Sequence, residues 1–180
     1  MRYGWDAGPQ YLSWRVPGGQ IPEVNRKATL TCGPARPTVC VMITIHATTV
    51  AIGGAGVMLR GPSGSGKSDL AIRLIHDGAQ LVADDQTILF VEHGRLMAQS
   101  PAEIAGKMEV RGVGIISMGP PSIAPVAIAI DMVDVHDVPR IPDFEPIDLM
   151  GHAVPRIYLS PFELSAAAKV PLALRALMES

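Results

Sequence analysis

At 180 residues the chain is long enough for one domain with a buried core. Hydrophobic residues make up 48% of it and aromatic residues only 4%, so that core must be aliphatic. A net charge of −2 supplies no bulk basic field, which argues against nucleic acid or an anionic membrane as partner, although a local basic groove stays open.

Cys32 and Cys40 are the only cysteines and form no CxxC, and the five histidines show no HExxH spacing. A reduced, cytoplasmic protein is expected, with a redox or metal role for the thiols as the lesser alternative. The chain does not open on a charged stretch followed by an apolar run, so no secretory signal is expected. Residues 39–59 and 113–130 lack Asp, Glu, Lys and Arg. Gly53-Gly54 interrupts the first stretch and Pro120-Pro121 the second, which suits buried strands and turns better than a membrane helix.

Residues 1–38 differ from the rest. Pro9, Pro17, Pro22, Pro34 and Pro37 break any period. This segment reads as an extended or disordered leader, with Met42 as an alternative start and a short docking arm as the competing reading. Residues 39–180 are expected to form one domain. Residues 39–46 read as a strand, and 57–60 as a second that runs into a glycine-rich stretch. After Lys67, the residues Leu70, Ala71, Leu74 and Ile75 make one face of a helix that Gly78 ends. Residues 80–83 form a short strand ending at Asp84-Asp85. Residues 87–92 and 95–98 flank His93-Gly94 as a hairpin, 125–130 make a strand ending at Asp131, and 154–159 make another. Ser160, Pro161 and Glu163 have the pattern of an N-cap, a first helical position and a capping box, so a helix is predicted from there. Pro171 predicts a break in it near Lys169.

The glycine-rich stretch carries the strongest signal. Gly61-Pro62-Ser63-Gly64-Ser65-Gly66-Lys67-Ser68 fits G-x-x-x-x-G-K-[ST], the P-loop. Its glycines let successive N–H groups turn toward one point at a helix N-terminus, which binds phosphate. Lys67 can reach the β- and γ-phosphates of ATP, and the Ser68 hydroxyl can ligate Mg²⁺. A flexible linker is the bland alternative, and the flanking strand and helix speak against it.

Phosphoryl transfer needs more than a P-loop: metal-holding carboxylates, a base and further cationic charge. In Asp84-Asp85, one carboxylate can hold Mg²⁺ and the other meet a nucleophile, or the pair can cap a turn. Glu109 and Arg111 alternate around Val110 and would point to one side of an extended segment. They suit metal and phosphate contacts, or a solvent-facing salt pair. His46 in an apolar strand is a core histidine or a catalytic one. Arg140, taken alone, is a loop charge.

The order of these pieces resembles the bacterial HPr kinase/phosphorylase family, which phosphorylates a serine of the carrier protein HPr. Four blocks carry the resemblance: Ile45-His46-Ala47; the P-loop followed by Asp69; Leu81-Val82-Ala83-Asp84-Asp85; and Glu109-Val110-Arg111-Gly112-Val113-Gly114-Ile115-Ile116. It covers about residues 42–142 and implies an α/β P-loop kinase domain with a mixed β-sheet. Longer family members carry a further N-terminal domain, so this chain reads as a short form. The resemblance also implies ATP and Mg²⁺ as cofactors, an HPr-like carrier as partner and a hexamer. It makes His46 an active-site histidine, Asp85 the acceptor of the serine proton, Glu109 a metal contact beside Ser68, and Arg140 an active-site arginine. The family's Lys-x-Gly-Arg-Asn loop, tied to phosphorolysis, is replaced here by Leu159-Ser160-Pro161-Phe162-Glu163-Leu164. The kinase direction is therefore better supported than the reverse one. A small-molecule P-loop kinase would need a basic lid, and no Arg-rich lid segment is found. A nucleotide-sensing module without turnover would not need the Asp84-Asp85 pair.

Overall fold

A computed structural model of the protein describes residues 41–179. The leader reading, the two cysteines and the first residues of the predicted strand 39–46 lie outside these. The chain opens with β1 (Met42–Ile52), rich in the β-branched residues that suit a pleated surface. It runs well past the predicted end at His46. β1 turns back into β2 (Ala55–Arg60) through Gly53-Gly54, both with positive φ (58° and 86°). A two-residue loop with that geometry matches the right-handed strand twist.

After the P-loop comes α1 (Lys67–His76), which buries Leu70, Ala71 and Leu74 as its spacing predicts. β3 (Gln80–Ala83) follows, then the predicted hairpin of β4 (Gln86–Glu92) and β5 (Arg95–Gln99) about His93-Gly94. Among the described residues, β6 (Lys107–Val110) and β7 (Gly114–Ser117) pair only with each other. Arg111 therefore falls in their turn, not in an extended segment with Glu109.

β8 (Ala124–Met132) lies parallel to β2. The predicted strand 154–159 is split at Pro155, which has no N–H for a ladder. The halves are β10 (His152–Val154), paired with β9 (Ile147–Leu149), and β11 (Arg156–Leu159), parallel to β8. The main sheet is mixed, in the order β11-β8-β2-β1-β4-β5, with β3 beside β1 and β5 returning to β8.

The last helix, α2 (Ala166–Glu179), starts later than its capping pattern predicts. The Glu163 carboxylate is engaged by Lys169 Nζ at 2.8 Å instead of reaching back to Ser160. Residues 161–165 are turns, and Ser165 O takes the first helical bond, from Lys169 N (3.0 Å). Pro171 does not break the helix. It is exposed, while Ala166, Ala167, Val170 and Leu174 are buried, and that burial offsets the hydrogen bond lost at Ala167 O. Pro171→Ala restores the donor at an exposed site and should raise stability by about 1–3 kcal/mol, read as a higher Tm.

One apolar cluster fills the space between the sheet and both helices, built on Leu59, Leu70, Ile128, Ile157 and Val170. A second lies on the opposite face and joins Met58, Leu89, Ala98 and Val154. As expected from composition, both are overwhelmingly aliphatic. Leu59 is fully buried in the strand that leads to the P-loop. Leu59→Ala should cost about 2–5 kcal/mol in urea unfolding. Among the described residues, no helix is long and apolar enough to cross a membrane.

Candidate active site

The P-loop leaves β2 at its carboxyl end, where β2, β8 and β11 run parallel. Crevices at that end are the usual ligand position in parallel sheets. Two glycines show why the motif cannot be relaxed. Gly66 is the residue before α1 and has φ 87°. A Cβ there would also lie 2.8 Å from Cγ of Pro161. Gly61 has φ 153°, and an added Cβ would sit 2.6 Å from Ser65 Oγ. The first helical bond, from Leu70 N to Gly66 O, is 2.9 Å. The N–H groups of Lys67, Ser68 and Asp69 precede it and are left to face a ligand.

Lys67 is only 6% exposed. Its ammonium donates to the carbonyls of Gly61 and Pro62, both at 2.9 Å, and meets His46 Nε2 at 3.1 Å. Burial pushes its pKa down, opposed by the charges of Asp85 and Asp84. The other His46 nitrogen, Nδ1, lies 3.1 Å from Asp85 Oδ1. With Lys67 charged, Nε2 must accept, so Nδ1 carries the proton and donates to Asp85. A continuous polar chain thus links Lys67, His46 and Asp85.

β1 explains why these residues meet. Its partner across from Ala47 is Arg60, next to the P-loop, while its partner across from His46 is Gln86, next to Asp85. Asp85 has φ 61°, and Gln86 N bonds back to Asp84 O at 2.6 Å. That is the geometry of a γ-turn of the rare, strained hand. It aims a side chain that is 64% exposed into the cleft.

Asp84 is the reverse case, 7% exposed and fully engaged. Its Oδ1 accepts from Thr48 Oγ1 and from Ser68 Oγ, each at 3.1 Å. Its Oδ2 accepts from Glu109 N at 3.2 Å. The residue against the Ser68 hydroxyl is therefore Asp84, to which the family resemblance assigns no role. The signal was present: an acid directly after an apolar strand beside a P-loop is a common metal position. Thr48, which anchors Asp84, carried no such signal.

The cleft around these groups measures about 980 Å³. Ser63, Gly64, Gly66, Lys67 and Ser68 line it, as do His46, Asp84 and Asp85. The β6–β7 hairpin brings Glu109 and Arg111 to the same cleft. Arg140 is on an exposed loop and is not among the lining residues. Gly61, Pro62 and Ser65 are not among the lining residues, and the carbonyls of Gly61 and Pro62 face the Lys67 ammonium instead.

Among the described residues, no group of three or more His, Cys, Asp or Glu is arranged to hold a metal by itself. Mg²⁺ does not require one: it takes one or two carboxylates or hydroxyls and completes its shell with phosphates and water. The oxygens of Ser68 and Asp84 beside an anion-binding loop fit that demand.

Fold and site define the class first: a P-loop α/β domain with a mixed sheet. Residues 38–120 match the family described as HPr Serine kinase C-terminal domain. An HPr kinase/phosphorylase of Clostridium tetani is 39% identical over 88 residues, 49% of this chain and 28% of the relative. One of Lactococcus lactis subsp. lactis is 42% identical over 76 residues, covering 42% and 25%. The chain thus spans about a quarter of the length of the curated relatives it matches. The solved Hpr(Ser) kinase/phosphatase of Coxiella burnetii superposes with a TM-score of 0.63 at 28% identity, over 76% of this chain and 88% of that one.

Proposed function

We propose that the protein is an ATP- and Mg²⁺-dependent serine kinase acting on HPr or a similar small carrier protein. The observation that carries this reading is the Lys67–His46–Asp85 chain, in which an exposed carboxylate lies beside a P-loop. In the proposed reaction the P-loop N–H groups and Lys67 hold the phosphates. To reach them, Lys67 gives up the carbonyls of Gly61 and Pro62. Ser68 and Asp84 hold Mg²⁺, with Glu109 at the same edge, and the ion neutralises phosphate charge when bound. Asp85 takes the proton of the acceptor serine as its oxygen bonds the γ-phosphorus and the bond to ADP breaks. His46 keeps Asp85 turned toward that serine through its Nδ1–H. A carboxylate is a weak base, which suffices where positioning and charge neutralisation dominate. Regulation of carbon metabolism, a hexameric assembly and a role for Arg140 belong to the same proposal and rest on the family resemblance.

The test is incubation of the purified protein and HPr with γ-labelled ATP. Label on an HPr serine is expected, and no label on HPr would overturn the reading. Lys67→Ala should abolish labelling. Phosphorylated HPr with inorganic phosphate tests the reverse reaction, for which little return is expected because residues 159–164 lack the family's Lys-x-Gly-Arg-Asn loop.

A further inference from the structure

Phe162 is 72% exposed, in a chain with few aromatic residues to spare. It is nevertheless held in place. The guanidinium of Arg73, on α1, donates to the carbonyl oxygens of Pro161 and Glu163 on either side of it. Arg73 is itself paired with Asp69 at 3.1 Å. The Glu163 carboxylate is pinned by Lys169 at 2.8 Å, and Pro161 and Ser160 are buried. The segment is thus strapped to both helices, with the ring of Phe162 and the side chain of Leu164 left exposed, and of these two only Phe162 lines the cleft.

The ring's position is specific. Its Cζ would lie 3.2 Å from a Cβ on Gly66, the last glycine of the phosphate-binding loop. It also lines the same cleft as Lys67 and Ser68, together with the apolar side chains of Ile72, Ile104 and Ile115. A triphosphate satisfies the loop but has nothing to offer a phenyl face. A nucleoside triphosphate carries a flat π-system one sugar beyond its α-phosphate.

We propose that Phe162 is the stacking platform for the base of the bound nucleoside triphosphate. The proposal rests on the nucleotide-binding reading above and adds a base subsite to it. The ring offers no hydrogen bond, so it grips purines with little discrimination between adenine and guanine. A rigid, pre-placed ring also loses little conformational freedom on binding.

Calorimetric titration with Mg²⁺-ATP, Mg²⁺-GTP and inorganic tripolyphosphate separates the two claims. The parent chain should bind ATP and GTP more tightly than tripolyphosphate. Phe162→Ala should weaken ATP and GTP alike, by about tenfold, and leave tripolyphosphate unchanged. Phe162→Trp should restore or improve nucleotide binding. An unchanged ATP affinity in Phe162→Ala overturns the proposal, as does equal weakening of ATP and tripolyphosphate. If the parent binds neither nucleotide nor tripolyphosphate, the P-loop reading fails and takes the base subsite with it. Tripolyphosphate bound as tightly as ATP leaves the P-loop reading standing and removes the subsite alone.

Discussion

Asp85→Asn should lower the rate of HPr labelling by about a hundredfold to ten-thousandfold, the range lost when a positioned base is removed. ATP affinity should change little, because Asp85 is exposed and reaches Lys67 only through His46, while the loop carbonyls hold Lys67 directly. The substitution is nearly isosteric. The asparagine oxygen can still accept from His46 Nδ1–H, so the turn and the histidine stay in place. What disappears is the carboxylate proposed to receive the serine proton. Single-turnover labelling with saturating ATP reads this directly. Equal rates in the parent and Asp85→Asn would remove Asp85 from the chemistry and leave the P-loop reading intact.

The second large effect is expected at Asp84, where two substitutions should part company. Asp84→Ala leaves the buried Thr48 hydroxyl and the N–H of Glu109 without their acceptor. Stranding groups of this kind costs about 1–3 kcal/mol each. The lost stability should appear in urea unfolding together with the lost activity. Asp84→Asn can flip so that its oxygen accepts from Glu109 N while its amide faces the two hydroxyls, which rotate to accept. It should remain folded. It lacks the charge that draws Mg²⁺ to Ser68, and should raise the Mg²⁺ needed for half-maximal labelling by about tenfold to a hundredfold. If Asp84→Asn labels HPr at the parent's Mg²⁺ dependence, Asp84 is a structural acid only.

The parts of the fold legible in the sequence are those governed by local rules. Helix α1 was marked by an apolar face and a terminating glycine, and the β4–β5 hairpin by His93-Gly94 between alternating strands. What failed were rules that tertiary contacts can override. The capping pattern at Ser160–Glu163 is real as a pattern, but Lys169 takes the Glu163 carboxylate and Arg73 takes the carbonyls of the turn. Pro171 is a helix breaker in isolation and is tolerated where the opposite face of the helix is buried. The return of β5 to β8 leaves no local trace in the sequence, since it depends on strand pairing far along the chain.

The candidate site divides along the same line. Lys67 and Ser68 were candidates from a contiguous motif; the acidic pair at a strand end left its two members undistinguished, and only the family resemblance pointed to Asp85. The meeting of His46 with Lys67 and Asp85 is a matter of sheet register, which residue types do not reveal. Which acid of the pair meets the Ser68 hydroxyl was not legible, because the three hydrogen-bond partners of Asp84 come from β1, α1 and β6. Those partners become neighbours only in the folded chain.

The pairing of Ala47 with Arg60 has a further consequence. His46 and the P-loop sit at the open end of a hairpin whose closed end is Gly53-Gly54. A strand slipped by one residue turns every side chain to its opposite face. The two glycines therefore act as a gauge for the cleft at the far end. One residue added to that turn would swing His46 away from Lys67 without touching any group of the site. Along this hairpin, the tolerance of the chemistry to insertions is set at the end where no chemistry occurs.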